Sequence, residues 1–116
     1  MGDATDAEFC EEMTKAAVSS YGKINILVNN VGISGPGSVT DVQEDFWGTA
    51  INVNLKNVGL TSKYMIPEMI NSGGGSIINL VGLRAGAGGP SHPYAASKGG
   101  IIGLSNSMQS IMDAIM

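Results

Sequence analysis

Tyr94 and Lys98 stand four residues apart, with only Ala95, Ala96 and Ser97 between them. On a helix, positions i and i+4 share one face. A phenol and an ammonium would then lie side by side. A free tyrosine, with a pKa near ~10, is a poor acid or base at neutral pH. A cation a few ångströms away favours the phenolate and lowers that pKa. The pair could therefore act as a general acid/base near neutrality. The same two residues also suit an ordinary helix surface, so the spacing alone does not decide between the two readings.

The elements that must position this pair can be read along the chain. Thr5-Asp6-Ala7-Glu8 reads as a capping box opening a helix. Phe9, Met13, Ala16, Ala17 and Val18 give that helix an apolar stripe, and Gly22 ends it. Ile24 to Val28 is short, apolar and β-branched, as expected of a buried parallel strand. A Gly- and Ser-rich loop follows from Gly32 to Ser38. Thr40-Asp41-Val42-Gln43 reads as a second capping box. It opens a helical region expected to run, with a break near Gly48 or Thr49, to about Ile70. Pro67 should kink or end it. Ser72 to Gly75 is a turn, and Ser76 to Val81 a second buried strand. A long Gly-rich loop, Gly82 to Pro93, leads into the Tyr94 helix. The order α-β-α-α-β-α is a parallel α/β pattern. No internal repeat or linker interrupts it.

Composition narrows the function classes. The chain has 116 residues, enough for one small domain with a core. Its 17 glycines imply many tight turns and close backbone approaches. The net charge is −4, with no basic run, which argues against nucleic-acid and anionic-membrane partners. No apolar stretch approaches a membrane span, and the first residues do not read as a signal peptide. Cys10 is the only cysteine, so no intrachain disulfide can form, and a cytoplasmic location is expected. Cys10 reads as a small, partly buried helix residue. No His lies near it in sequence to make it a catalytic thiol.

Two further segments give the Tyr-Lys pair a context. Lys23-Ile24-Asn25-Ile26-Leu27-Val28-Asn29-Asn30-Val31-Gly32 is a strand running into Asn-Asn-x-Gly, and Ile51-Asn52-Val53-Asn54-Leu55 lies between it and Tyr94. In this order and at these spacings the chain resembles the short-chain dehydrogenase/reductase family, from about Asp3 to about Ser107. The resemblance implies a single partial NAD(P)-binding Rossmann-like domain over residues 1–116. It would be a partial doubly wound parallel sheet with flanking helices, its two strands neighbours just past the topological switch point. It also implies an NAD(P)-dependent oxidoreductase moving a hydride between nicotinamide and a small-molecule alcohol or carbonyl.

The resemblance assigns roles residue by residue. Tyr94 matches the acid/base that exchanges a proton with the substrate oxygen. Lys98 matches the lysine that lowers the Tyr pKa and binds the nicotinamide ribose hydroxyls. Asn54 matches the asparagine whose backbone helps hold a proton-relay water; otherwise it is a polar residue breaking a helix at a kink. Asn52 matches no catalytic position. Asn30 and Gly32 match residues beside the adenosine ribose, although such Asn side chains also brace the sheet. Val31 replaces the commoner Ala. Asp3 and Ala4 match the segment at the adenine edge. Together with Tyr94 and Lys98 these four make up the cofactor-binding set, and no metal site is implied.

Some departures accompany the match. Family members are longer, so the chain is read as truncated, without the N-terminal glycine-rich pyrophosphate loop and the C-terminal part. Gly82-Leu83-Arg84-Ala85-Gly86-Ala87-Gly88 has the glycine spacing of that loop. Gly89 to Pro93 separates it from the next helix, however, so it reads as a flexible loop. The family's substrate-binding Ser falls at Gly82 when counted on from Asn54, and at Val81 when counted back from Tyr94. Neither is Ser. Ser76 lies too far away, Ser91 could swing in from the loop, and His92 is either a substitute donor or a solvated loop histidine. Substrate identity and the choice of NAD or NADP are not legible.

The resemblance also implies a homodimer or homotetramer packed through the Asn54 and Tyr94 helices. Ala95, Ala96, Gly99, Gly100 and Gly103 permit close packing. Ile101, Ile102, Leu104, Met108, Ile111, Met112 and Ile115 make the latter helix unusually apolar. A non-catalytic relic or dimerisation module of the same family is the alternative reading.

Overall fold

The protein, seen in a computed structural model, is described for residues 1–82 and 90–113, with side chains to 111. Helix α1 spans Ala7–Tyr21. It starts at Asp6, whose carboxylate accepts the Glu8 N–H at 3.2 Å. The capping box expected at Thr5 is displaced by one residue. Asp3 captures both the Thr5 amide and the Thr5 hydroxyl, at 2.8 and 2.7 Å, which leaves Asp6 as the cap. Gly22 closes α1 in the left-handed region (φ 83°) and returns its N–H to the Val18 carbonyl. Cys10 is fully buried and its Sγ–H points to the Ala4 carbonyl at 3.3 Å. Burial first, then Asp6 and Asp3, push its thiol pKa up, as befits a packing residue.

Strands β1 (Ile26–Asn29) and β2 (Ser76–Asn79) pair in parallel, Leu27 opposite Ile77 and Asn29 opposite Asn79. Both are shorter than the apolar runs that mark them. A parallel pair needs a crossover connection, here a long helical rod. It comprises α2 (Glu44–Ile51), a π-helical segment (Asn52–Lys56) and α3 (Asn57–Asn71). Three expectations are corrected along it. The Thr40 capping box does not open the helix. Asp41 instead accepts the Ser38 N–H at 2.8 Å and makes a turn of its own, and α2 begins at Glu44. The rod does not break at Gly48 or Thr49; the irregularity is the wider turn at Asn52–Lys56. Pro67 neither kinks nor ends α3, which runs on to Asn71. Pro67 lies on the solvent face, as does Lys63, whose carbonyl the missing N–H would have engaged, and water can replace it there.

The core forms where α1 and α3 cover one face of the sheet. Ile24, Leu27, Met65 and Met69 are its centre, with Met13, Ala17, Val18 and Ile77 packed around them. Helix α4 (His92–Asp113) joins the same face, where Ser105 meets Asn79. Alongside the rod, a Cβ on Gly100 would stand 2.8 Å from Leu55 Cδ2, so a larger residue there would have to push the end of that side chain aside. The expected parallel sheet with flanking helices is present, and among the described residues the helices lie on one face. The other face is bare. Ile26, Val28, Ile78 and Leu80 are 64, 52, 50 and 45% exposed, unlike the two covered faces usual for parallel strands. No helix among the described residues is long and apolar enough to cross a membrane.

This one-sided burial predicts unequal responses to substitution. Met69→Ala, at a fully buried site, is expected to lower stability by about 2–4 kcal/mol. Ile78→Thr on the bare face should change it by under ~0.5 kcal/mol. Urea unfolding of the two variants decides, and equal losses would contradict the assignment of faces.

Candidate active site

Three pieces of backbone converge at the carboxyl ends of the strands: residues 30–34 after β1, residues 80–82 after β2, and the first turns of α4. They line an open cleft of about 440 Å³ that includes Asn30, Gly32, Ser34, Val81, Gly82, Tyr94 and Lys98. The carboxyl edge is where open parallel sheets place ligands, because the diverging loops leave a crevice there. A larger groove of about 560 Å³ runs beside the free edge of β2, between Ile70, Ile77 and Met108. It contains neither Tyr94 nor Lys98, which both line the smaller cleft.

Lys98 is only 4% exposed. Its Nζ donates to the Leu80 carbonyl at 3.2 Å and lies 5.8 Å from the centroid of the Tyr94 ring. The two therefore share one helix face, as their spacing predicts. The ammonium is anchored on backbone and not on the phenol, and no carboxylate among the described residues pairs with it. Burial away from water lowers its pKa.

Asn54 has no exposed surface at all. Its Oδ1 accepts the Ile33 N–H at 2.7 Å and its Nδ2 donates to the Ile33 carbonyl at 2.8 Å. The second Nδ2 proton goes to Ser97 Oγ at 3.0 Å, and Ser97 in turn donates to the Tyr94 carbonyl at 2.7 Å. One side chain from the π-helical segment thus ties the loop after β1 to the turn of α4 that carries both Tyr94 and Lys98. Sequence reasoning looked to the Asn54 backbone; the side-chain role was missed, because its partners lie 21 and 43 residues away.

Asn30 is exposed on the cleft wall. Gly32 approaches so closely that a Cβ would stand 3.1 Å from Lys98 Nζ and 3.3 Å from Asn54 Oδ1. Asp3 and Ala4 do not line the cleft. Asp3 is engaged with Thr5, whose hydroxyl and then amide hold its carboxyl below the usual range, and Ala4 receives the Cys10 thiol.

Both candidate Ser positions, Val81 and Gly82, line the cleft, and a Cβ on Gly82 would stand 3.3 Å from the Tyr94 hydroxyl. Ser91 is not free to swing in. It is buried, bridged to Gly37, and its Oγ has no hydrogen-bond partner among the described residues. His92 is exposed but not merely solvated, since its Nδ1 accepts the Val39 N–H at 2.8 Å and clamps the loop after β1 to α4. No local pattern signals that clamp, because its partners are 53 residues apart. Apart from Gly82, the glycine-spaced segment 82–88 lies outside the described residues.

Comparison with known proteins agrees with this arrangement. The family described as short chain dehydrogenase matches residues 1–113. The chain belongs to that family. A 3-oxoacyl-(acyl-carrier-protein) reductase of Thermotoga maritima is 38% identical over 103 residues, which are 88% of this chain and 42% of that protein. The enzyme of the same name from Staphylococcus aureus is 35% identical over 106 residues, 90% of this chain and 43% of the relative. Among solved structures, a Burkholderia xenovorans protein assigned to the short-chain dehydrogenases/reductases superposes with a TM-score of 0.92 at 33% identity, covering 99% of this chain and 46% of that one. The aldohexose dehydrogenase of Thermoplasma acidophilum gives 0.83 at 33% identity, covering 91% and 42%. The chain thus spans less than half the length of these short-chain dehydrogenase relatives, which are oxidoreductases by name.

Two outcomes follow from the site geometry. Asn54→Ala leaves the Ile33 amide and carbonyl without their partner, and is expected to cost about 1–3 kcal/mol. Hydrogen exchange at the Ile33 amide should accelerate more than exchange in the α1 core, and uniform acceleration would speak against a local tie. For Lys98 the folded pKa lies below the unfolded one, so the unfolded chain binds more protons between the two values. Stability attributable to Lys98 should therefore rise with pH through that window, which ends near the ordinary lysine value of about 10.4. Denaturant melts of wild type and Lys98→Met at several alkaline pH values test this, because the variant should lose that slope.

Proposed function

We propose that this chain carries the nicotinamide side of an NAD(P)-dependent oxidoreductase site acting on an alcohol or carbonyl, with Tyr94 as the acid/base. The observation that carries the reading is the convergence of the Tyr94 hydroxyl, the buried Lys98 ammonium and the bare backbone at Gly32 on one cleft. The residues present fit such a cofactor. Lys98 uses one of its three N–H donors on Leu80, leaving two for sugar hydroxyls. Gly32 leaves open the space that a side chain would fill. When bound, the cofactor supplies the hydride acceptor or donor. The chain's own part is to orient it through Lys98, to exchange a proton with the substrate oxygen at Tyr94 Oη, and to hold both residues on α4 through Asn54.

Asn30 and Gly32 are assigned to the adenosine ribose and Asp3 with Ala4 to the adenine edge, within a single partial Rossmann-like domain. A homodimer or homotetramer in the cytoplasm is part of the same reading. A 3-oxoacyl-(acyl-carrier-protein) reductase and an aldohexose dehydrogenase among the relatives support an oxoacyl or sugar carbonyl as the first substrates to try.

A second reading is a non-catalytic assembly module. It draws support from Gly82, which puts no side-chain hydroxyl of its own at a position where a Cβ would stand 3.3 Å from the Tyr94 hydroxyl.

Titration of the purified chain with NADH and NADPH, followed by fluorescence, tests the first reading. Saturable binding lost in Lys98→Ala is expected, whereas a folded chain that binds neither cofactor rejects it. Where turnover of a carbonyl substrate is measurable, Gly82→Ser should raise it by about ten- to a hundredfold by supplying the missing donor. Tyr94→Phe should abolish it.

A further inference from the structure

One polar residue of the cleft wall has no part in the site chemistry described above. Four residues with polar side chains line the cleft: Asn30, Ser34, Tyr94 and Lys98. Asn30 and Lys98 are assigned to the cofactor and Tyr94 to the reacting oxygen, which leaves Ser34. Ser34 is exposed, and among the described residues its hydroxyl makes no hydrogen bond. Loop serines often turn their hydroxyl onto nearby backbone. Ser38, in the same loop, does so: its Oγ accepts the Thr40 N–H at 3.3 Å. Ser34 does not. We propose that Ser34 is a specificity-determining residue, whose hydroxyl holds a second oxygen of the substrate, a carbonyl or hydroxyl oxygen a few bonds from the carbon that Tyr94 serves.

The loop presents Ser34 from a fixed position. On one side, Asn54 takes both the N–H and the carbonyl of Ile33, at 2.7 and 2.8 Å. On the other, the backbone of Gly35 lies against the Phe46 ring of α2, where an added Cβ would stand 2.8 Å from Cζ. Two residues further on, Gly37 donates to the Pro90 carbonyl at 2.9 Å and accepts the His92 N–H at 3.0 Å. Ser34 thus sits between two held neighbours. A short side chain on a fixed backbone loses little freedom on binding, so ordering of the loop does not offset the bond it makes. Ser34 comes from the loop after β1 and Tyr94 from α4, and both line one cleft of about 440 Å³, the size of a site for a single small molecule. One ligand can therefore meet both. Ile33 and Val81 line the same cleft and suit the carbon chain between two oxygens. A serine hydroxyl donates to a carbonyl oxygen, and both donates to and accepts from a hydroxyl. A ligand with hydrocarbon in that place leaves Ser34 to water and gains nothing from it. Ser34 would therefore sort substrates without taking part in the proton transfer.

The inference rests on Tyr94 serving the reacting carbonyl, and its test is read without cofactor or turnover. The full chain is titrated with two carbonyl probes, methyl acetoacetate and methyl isobutyl ketone, and followed by amide NMR. The ketone carries branched hydrocarbon where the ester carries its oxygens. Shifts at the Ile33, Ser34 and Gly82 amides would place the probes in the cleft. Ser34→Ala is expected to weaken methyl acetoacetate by about three- to tenfold, the span of one net hydrogen bond, and to leave methyl isobutyl ketone unchanged. Ser34→Thr, which keeps the hydroxyl, should keep the wild-type ratio of the two affinities. An equal loss for both probes in Ser34→Ala, two unchanged affinities, or a wild-type chain that binds neither probe overturns the proposal. A chain whose probe affinities follow Ser34 but which binds neither NADH nor NADPH rejects the hydride-transfer reading alone and leaves the Ser34 contact standing.

Discussion

The buried amide of Asn54 is the interaction on which the cleft depends. A polar side chain shut off from water must find partners for its donors and its acceptor, or the fold bears the desolvation penalty. Asn54 satisfies both amide protons and its oxygen on just two residues, Ile33 and Ser97. Neither partner belongs to its own element. The wider turn of the rod, the loop after β1 and the first turns of α4 therefore cannot move separately without exposing an unmet hydrogen bond. The π-helical segment has a plain purpose in this arrangement, since it places Asn54 between the other two pieces.

With that frame fixed, the chain can hold a lysine in an unfavourable place. Lys98 is nearly buried and has no carboxylate partner among the described residues; it has a backbone carbonyl instead. A charge so placed lowers stability, and the core must offset it. The Leu80 carbonyl holds the ammonium where Lys98 lines the cleft. Cys10 is the contrasting case. Its buried thiol faces a carbonyl, its pKa is raised, and it has no access to the cleft chemistry.

Much of the fold was legible from local pattern. Gly22 as a helix stop, the Met13, Ala17 and Val18 part of the α1 stripe (Ala16 is exposed), the two short strands and the shared face of Tyr94 and Lys98 all follow from periodicity and turn chemistry. The errors arose where a local motif met a stronger competitor. Asp3 took Thr5 away from the expected cap, and Asp41 used Ser38 for a turn. Pro67 was harmless because its carbonyl partner faces water. The roles of Asn54, His92, Asn29 and Asn79 were illegible for another reason: each side chain bonds a residue far away in sequence, and residue type gives no hint of a distant partner. Counting left Val81 and Gly82 as alternatives, and the structure brings both into the cleft, with Gly82 close to the Tyr94 hydroxyl.

The separations involved also bear on how the molecule forms and opens. Asn29 and Asn79 are 50 residues apart, Asn54 and Ser97 are 43, and Val39 and His92 are 53. The helices, by contrast, are built from neighbours four residues apart. Closing long loops has an entropic cost that local contacts avoid. The rod and α1 can therefore gain helix early, while the Asn29–Asn79 and Asn54–Ser97 bonds wait for the second strand and α4 to arrive. In reverse, parting of the two strands would release those long-range bonds while each helix keeps its local ones, so far-UV circular dichroism would still report helix after the geometry of the cleft had gone.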